Sequence, residues 1–284
     1  MYLGQYVKMP GVGVYRLKEY IADSLVKKNI LSGTRDYQKF IILGWYRTGS
    51  NFLATSVNSH PKVICYSELF FPKKIFWSNG VYGKRSDSQE LINIRNKSSE
   101  YFLNEHVFRC YPKHIKAVGF KIFYPQFENP IYENLVNDIK KIKGLKILHI
   151  KRRNYLNVLV SQKIGAISGK MLRVTEKGFG KKQQISNIYI SPQECHTYFT
   201  KLDTLISKYD VVFSSNEMLT IYYEDLVSNY GKNMYDIYSF LDVQTYEAYS
   251  ILKKQNYHHI SDIISNYNEL KDFFMNSKWE SFFY

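Results

Sequence analysis

The chain has 284 residues, 45% hydrophobic and 17% aromatic, which is enough to bury a core and excludes disorder as its general state. Its 39 basic residues against 25 acidic ones leave a formal charge of +14, which favours an anionic partner such as nucleic acid, an anionic membrane surface or a multiply charged small molecule. Three well-separated cysteines, Cys65, Cys110 and Cys195, show no C-x-x-C and imply no disulfide framework; there is no Cys/His finger spacing either.

Residues 1–37 read as a basic N-terminal extension with one amphipathic helix over residues 14–28. They contain no continuous apolar signal core, and no 18-residue apolar run follows, so the expected location is cytoplasmic, with peripheral contact to an anionic inner membrane open to so basic a chain. Residues 40–44, short, apolar and ended by Gly44, predict a buried strand, and residues 51–59 the following helix, closed by Pro61. Residues 63–66 predict a second strand. Residues 71–115 are irregular apart from a polar helix over 88–105. Residues 116–125 read as strand, 129–143 as helix, 145–153 as strand and 155–165 as helix.

Residues 165–187 are rich in Gly and Lys and read as a long loop, a lid or acceptor loop. Residues 192–209 predict a helix with Ser191 as N-cap and Glu194 three residues later. "MLTIYYEDL" predicts a strand, with Tyr223, Glu224 and Asp225 at its end in a structural role, then a helix over 228–241 and a last helix in the aromatic tail. Strands alternating with helices predict an α/β fold: one domain over 1–284, a three-layer sandwich around a central, mostly parallel sheet with ligands at the carboxyl ends of its strands.

The segment "FIILGWYRTGSNFLATSVNSHPKVICYSELF" concentrates the chemistry. An apolar strand runs into a loop with Gly44 and Gly49 at G-x-x-x-x-G spacing, and then into a helix. A helix start offers free N–H groups and a positive dipole end to an anion. A nucleotide-triphosphate loop would continue with Lys and then Ser or Thr; here Ser50 and Asn51 follow. Arg47, Thr48, Ser50 and Asn51 can donate hydrogen bonds, but the lysine and the magnesium-binding hydroxyl are missing. The loop therefore suits a phosphate compound held without metal, and an ordinary strand–turn–helix is the other reading. A second junction, "LHIKRRNYLNVLVSQKIG", places Arg152 and Arg153 where a strand meets a helix. Ser161 lies eight residues after Arg153, about two helical turns, so guanidinium and hydroxyl could converge on one phosphate; a solvated serine and surface arginines would leave the same pattern.

Together the two junctions resemble the sulfotransferases that use 3′-phosphoadenosine 5′-phosphosulfate (PAPS). The family's R-[ST]-G-[ST]-[NT]-[FLW] loop reads here Arg47, Thr48, Gly49, Ser50, Asn51 and Phe52, and its Arg and Ser for the 3′-phosphate read Arg153 and Ser161. The order of "RTGSNFLATSVNSHPKVICYSELF", "VGFKIF", "RRNYLNVLVSQKIG" and "YYEDL" over residues 40–240 is similar to the bacterial carbohydrate branch, which includes trehalose and nodulation-factor sulfotransferases. The resemblance implies a P-loop-like fold, PAPS as donor, the 3′,5′-bisphosphate of adenosine (PAP) as product, no metal, and a sugar or glycolipid hydroxyl as acceptor. PAPS carries about four negative charges near neutral pH, so the absent lysine and magnesium ligand become expected features.

By the same resemblance Glu68 in "CYSELF" is the carboxylate base; by analogy with phosphoryl transfer, Arg47 is the candidate for stabilising charge on the sulfuryl and bridging oxygens. His60 is the rival base, although "SHP" also suits a helix end. Lys121 in "GFKIF" reaches the site or snorkels from its strand. Trp279 could stack on adenine or dock into the core. His149 and the pair His258–His259 lack partners at metal spacing. Two other classes compete. One is a P-loop kinase or NTPase, against which Ser50–Asn51 argue. The other is a basic protein that binds nucleic acid or a membrane surface, which explains the charge but neither junction; nucleic acid is not the expected partner.

Overall fold

The computed structural model describes residues 21–77, 88–168, 187–250, 252 and 259–284. Most of the expected loop 165–187, His258 and the first part of the expected N-terminal helix lie outside the described residues. In chain order, residues 21–27 are helical (α1). They are followed by β1 (Gly33–Thr34), β2 (Gln38–Gly44), α2 (Ser50–Val57), β3 (Val63–Glu68), α3 (Gln89–Lys97), α4 (Ser99–Phe102), β4 (Tyr111–Pro112) and β5 (Ala117–Phe123). Then come α5 (Tyr124–Phe127), α6 (Leu135–Lys140), β6 (Lys146–Lys151), α7 (Tyr155–Ser168), α8 (Pro192–Val212), β7 (Glu217–Tyr222), α9 (Tyr223–Ser228), α10 (Tyr230–Phe240) and α11 (Tyr267–Phe273).

Five strands form one sheet in the order β3-β5-β2-β6-β7, every neighbouring pair parallel. The four apolar residues of β2 show why the sheet is covered on both faces. Phe40 and Ile42 pack with Leu53 and Val57 of α2 and with Ile237 and Tyr238 of α10. Ile41 and Leu43 join Phe102, Leu135, Ile139, Leu205 and Tyr209 on the other face. Side chains alternate across a strand, so a continuous apolar run can only be buried by two layers of helices. Each such residue contributes roughly 1.5–3 kcal/mol by leaving water. The sheet order reverses at β2: the chain leaves it for β3 and β5 on one side and β6 and β7 on the other. In such sheets the crevice at the carboxyl ends beside that strand is where ligands bind.

Several expected elements change shape. The helix expected over 88–105 is broken at Ser98, which sits in extended backbone (φ −152°) and accepts a hydrogen bond from the Tyr101 amide, ending α3 and capping α4. The helix expected over 129–143 is a 3₁₀ turn, Pro130–Tyr132, followed by the short α6. The helix expected over 155–165 runs on through residues 166–168, which composition reads as loop. Tyr223, Glu224 and Asp225, expected to end a strand, open α9 instead, where two carboxylates in the first turn suit the positive end of the helix dipole. The stretch before β2 is tied to the body: β1 pairs with β4, and Asp23 of α1 accepts a 2.6 Å bond from Arg109.

Candidate functional site

The turn between β2 and α2 is built from two left-handed residues, Arg47 (φ 65°) and Gly49 (φ 90°). Glycine is required at 49 twice over, because a Cβ there would meet the Tyr223 ring at 2.2 Å. Gly44 is equally confined, its missing Cβ standing 2.8 Å from the Ile150 carbonyl oxygen. Buried Thr48 closes the turn by donating its hydroxyl to the Trp45 carbonyl at 2.8 Å. Trp45 is itself anchored, its indole N–H donating to Tyr198 Oη at 2.9 Å. The chain thus enters α2 at Ser50 with Gly49 as N-cap and no side chain capping the first amides. Those N–H groups lack a partner within the helix and present an anion-binding end. Phe52, one turn in, packs on Tyr230.

Three cations surround this turn. Arg47, half-buried, donates from Nε to Ser161 Oγ at 3.0 Å. Arg152 lies over the Tyr223 ring at 5.0 Å, reaches the Arg47 carbonyl at 3.4 Å, and faces Glu224 Oε1 at 3.6 Å. Burial lowers the pKa of Arg47, and Arg152 beside it lowers it further. Glu224 offsets part of this charge at Arg152, while Arg47 donates to the neutral Ser161 hydroxyl. The second junction is therefore assembled differently from its expected form. Ser161 meets Arg47, whereas Arg153 is exposed and gives a two-pronged bond to Asp225, at 2.6 and 2.7 Å, over the Tyr222 ring. The residue that the eight-residue spacing passes over is Arg152; two consecutive arginines after a strand were the only signal for it.

The third cation is Lys121, 1% exposed on β5. A shift of register between Tyr66 and Glu68 brings Glu68, at the end of β3, opposite it. A bulge of this kind re-aims a side chain at the end of a strand. Lys121 Nζ lies 3.0 Å from Glu68 Oε1 and also donates to Asn51 Oδ1 in the first turn of α2. Burial lowers the Lys121 pKa while Glu68 opposes the shift. Lys121 thus joins the carboxylate to the anion-binding turn, and the snorkelling alternative does not describe it.

His60 is not part of this group, which corrects its reading as a rival base. It precedes β3 at the amino end of the sheet, and the six residues of β3 separate the two ends by roughly 17 Å. Both ring nitrogens are engaged: Nδ1 accepts from the Lys62 amide at 2.9 Å, and Nε2 donates to the Gln244 carbonyl at 2.9 Å. Trp279 is docked in the core against Phe199, Phe282 and Tyr155, so it is not free to stack on a base. His149 is buried between Tyr124 and Asp210. A polar cavity of about 740 Å³ between residues 95–100 and 130–141 contains none of the residues singled out from the sequence.

At the carboxyl edge of the parallel sheet, Arg47, Arg152, Lys121 and the uncapped first amides of α2 stand together with the carboxylates of Glu68 and Glu224. The family model described as Sulfotransferase family matches residues 39–247, and the chain belongs to that family. Among relatives, Nodulation protein H of Rhizobium tropici is 24% identical over 252 residues, covering 87% of this chain and 93% of that protein. Nodulation protein H of Rhizobium meliloti (strain 1021) is 26% identical over 253 residues, with 87% and 95% covered. Among solved structures, a sulfotransferase from Alicyclobacillus acidocaldarius aligns at TM-score 0.47 and 16% identity, covering 84% of this chain and 91% of that one. A mouse sulfotransferase complexed with PAP aligns at TM-score 0.44 and 12% identity, covering 97% and 96%.

Proposed function

We propose that the protein transfers the sulfuryl group of PAPS to a hydroxyl of a carbohydrate or glycolipid, with Glu68 as base. The observation that carries this reading is the Glu68–Lys121–Asn51 chain, which ties a carboxylate to the anion-binding turn of a sulfotransferase. The residues suit the donor: α2 amides, Thr48, Ser50 and Asn51 for the 5′-phosphosulfate, with Gly49 and Phe52 shaping the turn, and Arg153 with Ser161 for the 3′-phosphate. Arg153 would leave Asp225 for that phosphate, an exchange favoured by the exposure of both partners. Arg152, already at the turn, is a further candidate for a phosphate oxygen.

In the reaction the acceptor oxygen forms a bond to sulfur as the bond from sulfur to the 5′-phosphate of PAP breaks, and the hydroxyl proton passes to Glu68. Arg47 and Lys121 are placed to stabilise negative charge that grows on the sulfuryl and bridging oxygens. The reading needs no metal and fits a cytoplasmic enzyme; among the described residues no helix is long and apolar enough to cross a membrane. The relatives' name, Nodulation protein H, supports a sugar-like acceptor.

The test uses ³⁵S-labelled PAPS with pooled oligosaccharides and bacterial glycolipids. Glu68→Gln should lower transfer by about 10²–10⁴, the usual contribution of a positioned base, and leave PAP affinity unchanged. Transfer as fast as wild type would place the base elsewhere.

A further inference from the structure

Arg95 on α3 is fully buried, yet every hydrogen bond it makes ends on a neutral oxygen. Nη1 donates to the carbonyls of Leu69 at 2.7 Å and of Phe71 and Lys74 at 2.8 Å. Nη2 donates to the Pro72 carbonyl at 3.0 Å, and Nε and Nη2 both reach Asn96 Oδ1. The face of the guanidinium lies over the Tyr132 ring at 5.2 Å. A buried charge is costly unless paired or fully hydrogen-bonded, and here the bonding is supplied by main chain. The planar fork of arginine is the side chain that can satisfy so many acceptors at once.

The four carbonyls all belong to the segment that leaves β3 directly after Glu68. That segment returns on itself: the Lys74 amide donates to the Phe71 carbonyl at 3.2 Å, and the Phe76 amide donates to the carbonyl of Glu68 itself at 3.0 Å. Glu68 thus stands at the root of a closed loop with Arg95 at its centre. On the other side its carboxylate is held by Lys121. We infer that Arg95 is a positioning residue for Glu68: by gathering the carbonyls of residues 69–74 it fixes the backbone from which the carboxylate meets the acceptor hydroxyl. This inference rests on the reading of Glu68 as base.

The test compares full-length wild type, Arg95→Lys, Glu68→Gln and the double variant, with Arg95→Gln as a second probe of position 95. Lysine keeps the charge but cannot reproduce the fork. Amide hydrogen exchange in Arg95→Lys should speed up within residues 66–76 and stay unchanged within residues 44–57, while PAP affinity holds within about twofold. Transfer of ³⁵S to pooled oligosaccharides should fall by about 10²-fold, as a misplaced reacting group costs. The decisive comparison is the double variant, which should be no slower than Glu68→Gln alone, because a residue acting through Glu68 has nothing left to position. Losses that multiply, or unchanged exchange in residues 66–76, would overturn the inference. So would exchange that quickens everywhere, the mark of a general stabiliser. Should Glu68→Gln alone transfer at the wild-type rate, the base reading fails, while the exchange result still reports whether Arg95 holds the loop.

Discussion

At the end of β2 the chain turns through residues 45–49 into α2; at the end of β6 it turns through residues 152–154 into α7. Both turns carry arginine, and both lie at the same edge of the sheet. The first is made by backbone: two left-handed residues, a glycine pressed against Tyr223, and a buried threonine that closes the loop. The second is made by side chains, with Arg153 exposed and already occupied by Asp225. A backbone-built turn holds its shape with or without ligand, whereas a side-chain-built one can exchange an internal carboxylate for a phosphate. The two junctions should therefore fail in different ways when changed.

The largest expected effect is at Gly49. Gly49→Ala meets both the left-handed backbone, about 1–2 kcal/mol for a residue with a Cβ, and the Tyr223 ring at 2.2 Å. Overpacking adds roughly 1–3 kcal/mol. Thermal denaturation should show Tm lower by on the order of 10 °C, with PAP binding lost. A variant that keeps its Tm would mean that Tyr223 swings away and that the turn is not rigid.

Next come the arginines. Arg153→Ala should leave Tm nearly unchanged and weaken PAP roughly ten- to a hundredfold by calorimetry, the contribution of a charge-assisted contact. On the proposed reading Arg47 meets the donor in ground and transition states, so Arg47→Ala should weaken PAP and also slow transfer. Because Ser161 accepts the Arg47 Nε–H at 3.0 Å, Ser161→Ala should resemble a mild Arg47→Ala and reduce both quantities. If Ser161→Ala affects binding alone, the serine serves the second junction only.

What could be read beforehand follows from which forces are local. The strands β2, β5 and β6 were legible because apolar runs need two covering layers, and the cap of α8 was legible because Ser191 and Glu194 stand three apart, the Glu194 amide donating to Ser191 Oγ. The break at Ser98 was hidden because capping competes with a polar helix pattern that looks continuous. Arg95 gave no signal at all: its role comes from carbonyls some 21–26 positions away in sequence. The choice between Arg152 and Arg153 was equally closed, since neighbouring residues leave a helix start in different directions and only the fold decides which meets the turn. His60 suited both a helix end and a base until Lys62 and Gln244 were seen to take its two nitrogens.

The second junction also rests on an acid-sensitive strand. His149 of β6 donates from Nδ1 to Asp210 at 2.9 Å and accepts the Tyr124 hydroxyl at Nε2. Burial lowers the His149 pKa below its ordinary 6.5, only partly offset by the hydrogen bond to Asp210. A histidine depressed in the folded state is neutral there, so its stabilising contribution is whole above 6.5 and is lost as pH falls below that value. His60, depressed by burial, acts in the same direction. For Asp210 burial pushes the carboxyl up, but hydrogen bonds from His149 and Lys151 outweigh it and hold it at about 2. That contribution survives until pH falls from 3.8 toward 2. Urea midpoints should therefore decline in two acid steps, and His149→Asn should flatten the first. An unchanged slope as pH falls below 6.5 in that variant would assign the step to His60.

The smallest expected effect separates the two junctions most directly. Asp225→Asn keeps the shape of the side chain and leaves the Asp225 carbonyl free to accept Asn233 as before, at 3.0 Å. It removes the charge that holds Arg153. If Arg153 is the 3′-phosphate ligand, PAP no longer has to displace a carboxylate, and affinity should rise, by roughly two- to fivefold at low salt and less as ions screen the pair. The same substitution should leave Arg47 and the backbone-built turn untouched, so the rate of transfer at saturating donor stays at its wild-type value. Calorimetric titration with PAP at two ionic strengths reads both the gain and its screening. Affinity that falls in Asp225→Asn would give the carboxylate a supporting role, orienting Arg153 toward the phosphate, and the second junction would then be as preformed as the first.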